Sequence, residues 1–163
     1  MQITTKKAKE IKKKLPSLQR LIEREDTDYQ ILFVSIFDHW LKPDEVGLIH
    51  TEDENELKIR RKKLQDFIVG LFEMTPTYTW KYKRKNRFFL YSFTTLNQVL
   101  KNCNIQYQHG ESGRGYDIIL PEFEIVYSEE WDWTNIIWFR NERSVKPLIE
   151  LAEKSGLYIL HKR

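Results

Sequence analysis

The chain has 163 residues, 40% hydrophobic, 13% aromatic and 31% charged, with a net charge of +3; this excludes a disordered or fibrous protein and fits one globular domain over 1–163 that folds without staples. Its single cysteine, Cys103, rules out an intrachain disulfide, and no apolar run approaches the roughly 20 residues that span a bilayer. Residues 1–7 lack the apolar core and cleavage site of a secretory leader, so the chain is read as cytoplasmic, in a reducing compartment and without a membrane partner.

Residues 1–26 read as a basic helical segment. Ala8, Ile11, Leu15, Leu18 and Ile22 recur at spacings of three and four, a helical stripe, with lysines filling the other faces. Pro16 removes a backbone donor and clashes with the preceding turn, which predicts a kinked helix or two short helices meeting near Leu15. A strand is predicted over 29–39, apolar on both faces around Ile31, Leu32, Phe33 and Val34 and therefore central in its sheet. Residues 41–47 read as a loop and 48–50 as a short extended piece. Thr51 and Glu54 have capping-box spacing. The helix they open runs to about Met74 on a stripe of Leu57, Leu64, Phe67, Ile68 and Leu71, with Pro76 beyond its end.

Residues 77–82 and 88–93 read as a hairpin around the basic run 83–87. Thr95 and Gln98 open a short helix to about Lys101. Strands are predicted at 105–108 and 116–120, separated by a glycine loop at 110–115. Phe123, Ile125 and Tyr127 alternate at period two, which predicts a half-buried strand over 122–127. A further strand covers 134–139. Ser144 is placed as the cap of a helix with Pro147 in its first turn and Gly156 just past its end, and 157–160 as a closing strand. Consecutive strands in the second half favour antiparallel pairing. The class is therefore α+β, a mixed, mostly antiparallel sheet with helices covering one face.

Residues 127–140 hold three of the five tryptophans and a cluster of acids. Read as a strand, the segment puts Trp131 and Trp133 on one face, flanked by Glu129, Glu130 and Asp132, with Arg140 at its far end. Tryptophan is enriched at binding hot spots, and the acids would steer a basic partner surface. The plainer reading is that both rings seal the edge of the core.

Residues 1–101 carry 20 Lys and Arg against 14 Asp and Glu, and residues 102–163 carry 7 against 10. That asymmetry points to nucleic acid as an alternative partner. Lys12, Lys13 and Lys14 with Lys81, Lys83, Arg84, Lys85 and Arg87 would contact phosphates, and the interleaved aromatics would stack bases. The glycines at 110, 113 and 115 do not have dinucleotide-fingerprint spacing, and a hairpin turn accounts for them. His39, His50, His109 and His161 are scattered, with no zinc-ligand spacing. Asp38 and His39 could form an acid–base pair, but neighbours on a strand point to opposite faces. Cys103 reads as a buried small hydrophobe. Asp117, Glu122 and Glu124 could bind magnesium as in a phosphodiesterase, though no lysine accompanies them.

These features predict a small cytoplasmic, non-enzymatic protein–protein interaction module, of the kind a microbe uses as an accessory or toxin-neutralising protein. The partner-binding residues are Glu129, Glu130, Trp131, Asp132, Trp133 and Arg140. Nucleic-acid binding is the alternative and a metal-dependent nuclease the third reading. No catalytic set, metal site or cofactor is assigned.

Overall fold

The computed structural model describes residues 1–83, 87–103 and 116–162. The strand at 105–108, the glycine loop at 110–115, His109, Arg84 and Lys85 lie outside the described residues.

The N-terminal segment is two helices, α1 (Thr5–Lys14) and α2 (Leu18–Ile22). Thr4 caps α1 by accepting from the Lys7 amide, and Lys12, Lys13 and Lys14 sit at its negative end. Pro16 disfavours helical geometry at Leu15, which leaves it with ψ 73°. Ser17 then adopts a left-handed conformation, and the Tyr29 hydroxyl donates to the Pro16 carbonyl (2.9 Å) to pin the break.

Among the described residues seven strands form one sheet: β1 (Gln30–Ser35), β2 (Tyr78–Lys83), β3 (Arg87–Ser92), β4 (Asp117–Leu120), β5 (Ile125–Ser128), β6 (Thr134–Phe139) and β7 (Tyr158–His161). Their order is β3-β2-β4-β5-β6-β1-β7, and every pairing is antiparallel. Strand β1 is interior, as its apolar run predicts, but ends at Ser35, whose hydroxyl accepts from the Phe37 amide. At the β3 edge the N-terminus supplies cover, with Ile3 N donating to Leu90 O and Ser92 N to Met1 O.

Helices lie on both faces of the sheet, where one-sided cover was expected. Against one face pack α3 (Glu54–Met74), α4 (Leu96–Asn102) and α5 (Glu142–Lys154), burying Phe67, Ile68, Val99 and Leu148 against Ile118, Leu120, Ile125, Tyr127 and Ile137. Against the other, α1 and α2 bury Ile11, Leu15, Leu18 and Leu21 on Ile119, Val126, Tyr78 and Leu90. Alternation along β4 and β5 sends neighbours into opposite cores, which makes their short strands apolar throughout.

Four local expectations change. The piece at 48–50 belongs to a 3-10 turn (Val46–Ile49). Asp53, not Thr51, caps α3, accepting from the Asn55 and Glu56 amides, while Thr51 accepts from the Asp53 amide. Asn141, not Ser144, caps α5. Residues 121–124 form a turn rather than strand, with Glu124 left-handed at φ 56°. No helix among the described residues is long and apolar enough to cross a membrane.

Candidate binding site at the β5–β6 turn

Strand β5 ends at Ser128, and five residues bring the chain back into β6. Side-chain acceptors shape this turn. Asp132 Oδ1 accepts from the Thr134 amide (3.1 Å), a local bond that favours a turn over an extended run. Asn135 Oδ1 accepts from the Glu130 amide (2.8 Å), and its amide nitrogen donates to the buried Tyr127 hydroxyl (2.7 Å). Trp133 adopts φ 66°, a conformation rare for a bulky residue.

The turn separates the two tryptophans that a continuous strand would place on one face. Trp133 packs on the α3/α4/α5 core, donates to the Ile49 carbonyl (3.0 Å) and lies 5.7 Å from the Arg60 guanidinium. Arg60 itself is buried, bonded to Glu56 and to the Leu48 carbonyl. Trp131 projects outward and is 64% exposed. Glu129 is 3% exposed, its amide bonded to Tyr116 O, so it belongs to the interior. Arg140 lies at the other end of β6, about 20 Å along the strand from Thr134. There it pairs with Asp28 (3.5 Å) beside the Tyr29 ring. Of the six residues expected to form one partner-binding surface, the turn gathers Glu130, Trp131 and Asp132.

Beside them is a notch of about 220 Å³ lined by Phe33, Trp40, Glu130, Trp131, Asp132, Thr134 and Ile136. Its floor is the α1/α2 face of β1 and β6, at the end those two helices leave uncovered. Trp40, in the loop after β1, packs edge-on against Phe33 (4.6 Å between centroids, 76°) and donates to the His161 carbonyl (2.8 Å). Phe33, Trp40, Thr134 and Ile136 escaped the sequence reading. They come from distant segments, and only register brings them together. Trp40, an aromatic just past a strand end, was the one available hint.

A polar chain supports the acidic side of the notch. Arg24, just past α2, donates to Glu130 Oε1 (2.7 Å) and to Ser128 Oγ (3.3 Å), with its guanidinium 5.3 Å from the Trp138 ring centre. Trp138 Nε1 also donates to Ser128 Oγ (3.1 Å), and Ser128 donates in turn to Asp117 Oδ1 (2.5 Å). Trp80 Nε1 donates to Asp117 Oδ2 (2.7 Å). Burial raises the Asp117 pKa above the ordinary value of 3.8, against the bonds from Ser128 and Trp80 and the charge of Arg24. Burial likewise raises Glu130, opposed by Arg24 and reinforced by the charges of Asp132 and Asp117. It also raises Asp132, opposed by backbone hydrogen bonds. Ser128 is fully buried and Asp117 is 4% exposed, so this hydroxyl–carboxyl pair holds the turn in place and is closed to a substrate.

Among the described residues, the carboxylates and cations of the other candidate sets do not converge. Asp117 opens β4, whereas Glu122 and Glu124 lie in the turn past its other end, with Glu122 paired to Lys14. Among the described residues no group of three His, Cys, Asp or Glu could hold a metal ion. Lys12 lies over Phe88 on the α1/α2 face. Lys81 and Lys83 lie over Tyr91 and Phe89 on the opposite face, and Lys83 also donates to Gln2. Arg87 pairs in register with Lys83, the residues that flank the connection between β2 and β3. The described cations are thus divided between the two faces of the sheet. Asp38 and His39 do meet, because β1 ends before them: His39 Nδ1 is 2.5 Å from Asp38 and its Nε2 3.1 Å from Glu45. Those bonds raise the His39 pKa, Asp38 first and Glu45 second. Cys103 is buried, and burial followed by the charge of Glu129 raises its thiol pKa well above the ordinary value. The chain matches no family model, no curated protein and no solved structure.

Proposed function

We propose that the protein is a non-enzymatic binding module that recognises another protein through the Glu130–Trp131–Asp132 turn and the adjoining notch. The observation that carries this reading is Trp131, a large ring held 64% exposed at the apex of a braced turn. An exposed tryptophan beside an aromatic hollow is the arrangement in which hot-spot residues dock against a partner. The bonds from Asp132 and Asn135 fix the turn before binding, which lowers the ordering entropy lost on association. A notch of about 220 Å³ falls below the roughly 300–1,000 Å³ of small-molecule pockets and suits one side chain of a partner. The acids beside Trp131 favour a basic partner surface. A lone buried cysteine suits a reducing, cytoplasmic setting.

The test is selection from a random peptide display library on the immobilised protein, counter-screened against Trp131→Ala. The expected result is enrichment of peptides that share a Lys or Arg and fail to bind the variant. Peptides that bind both proteins equally would contradict the reading, as would no enrichment at all.

A further inference from the structure

We infer that the notch is a subsite for an organic cation, an ammonium or guanidinium head on an alkyl stem, presented by the partner. This rests on the reading of the turn as a binding surface and names the chemistry that the surface takes.

The lining combines two elements that such a cation needs. Phe33, Trp40 and Trp131 line the hollow and supply its aromatic surface, and ring faces attract cations through their quadrupole. Asp132 supplies the charge. It is half-buried, gives one oxygen to the Thr134 amide, and forms no ion pair with any cation among the described residues. Glu130 differs, because Arg24 already neutralises it. A carboxylate partly withdrawn from water, without a counter-ion and beside aromatic rings, favours an external cation over a neutral apolar group. A hollow of about 220 Å³ has room for a trimethylammonium or guanidinium head together with its alkyl stem.

The two sources of this chemistry are an ordinary lysine or arginine side chain and a methylated ammonium. Titrations of the full chain with choline, Nα-acetyl-lysine amide and Nα-acetyl-arginine amide would be followed by the indole ¹H–¹⁵N resonances of Trp131 and Trp40. Those resonances are assigned with Trp131→Phe and Trp40→Phe. The neutral isostere of choline, 3,3-dimethylbutan-1-ol, is the control. The expected result is saturable movement of both indoles, with the isostere at least about tenfold weaker than choline. Asp132→Asn keeps the acceptor for the Thr134 amide, and should weaken the cations by a similar factor while leaving the isostere unchanged. Preference for the amino-acid amides supports an unmodified side chain, and preference for choline supports a methylated one. Equal binding of choline and its isostere would overturn the inference and leave a purely apolar hollow, with the interface reading intact. No saturable response to any of the three cations would also overturn it. Failure of the interface reading itself appears separately, as peptide binding indifferent to Trp131→Ala.

Discussion

Trp131 and Trp133 are two residues apart in sequence and face different environments, so their replacement should separate binding from stability. Trp131→Ala removes exposed area and should leave the urea midpoint nearly unchanged while abolishing partner capture. Trp133→Ala empties a partly buried site between the core and Arg60, and should destabilise by about 3 kcal/mol, the low end of the scale for truncating a core aromatic. Equal destabilisation by both would show that Trp131 is also core. Asp117 carries a second residue-scale expectation. Its folded pKa lies above the ordinary value of 3.8, so between the two values the native state holds more protons than the unfolded state. Stability from this group is then greatest at acid pH and declines as pH rises through the raised value. Asp117→Asn should flatten that decline in a series of urea midpoints. Glu130 and Asp132, whose pKa values are raised in the same sense, add to the remaining slope, and Glu23 and Glu45, held low by hydrogen bonds, oppose it. A variant whose slope matches the parent's would refute the assignment.

At the scale of elements, what was legible in the sequence had a strong period or a dedicated chemical signal. The 3.6-residue stripe of α3, the period-two hairpin of β2 and β3, and the break at Pro16 all appear where residue spacing puts them. What failed was local geometry set by tertiary bonds. Phe123 continues the alternation of Ile125 and Tyr127, yet the chain turns there because Glu124 takes a left-handed conformation that no glycine or asparagine announces. Glu124→Asn should therefore stabilise by about 0.5 kcal/mol, since asparagine tolerates that region better; a loss of stability would mean that the Glu124 side chain itself holds the turn. Trp133 hides the β5–β6 turn in the same way, inside a run that reads as strand. The docking of the N-terminal helices was not legible either, because a basic amphipathic stripe does not say what it packs on. Leu15 is fully buried between α1 and the sheet, so Leu15→Ala should cost about 3 kcal/mol, whereas Lys13→Ala should be neutral by the same urea assay.

At the scale of the whole molecule, the two-sided sheet sets where the notch and the described cations lie. Helices α1 and α2 cover the β2–β5 part of one face and reach β6 at Trp138, but Phe33 and Ile136 lie outside that cluster, which leaves the notch open beside Trp131. The same architecture divides Lys12 of α1 from Lys81 and Lys83 of β2, so the described cations proposed for nucleic acid do not form one basic track. Strong single-strand binding needs such a track together with aromatic platforms. The fold class was legible because consecutive strands imply antiparallel pairing. The notch was not, because its lining comes from β1, the loop after it, the β5–β6 turn and β6.

The most direct test places both ligands on one protein. Fluorescence anisotropy would compare a basic peptide recovered from the display selection with a labelled single-stranded oligonucleotide, across a salt series, on the parent chain, on Trp131→Ala and on a Lys81→Ala/Lys83→Ala double variant. The account expects the peptide to bind, Trp131→Ala to abolish that binding and the lysine variant to leave it unchanged. It would be contradicted by oligonucleotide binding tighter than the peptide's that falls steeply with salt, survives Trp131→Ala and disappears in the lysine variant.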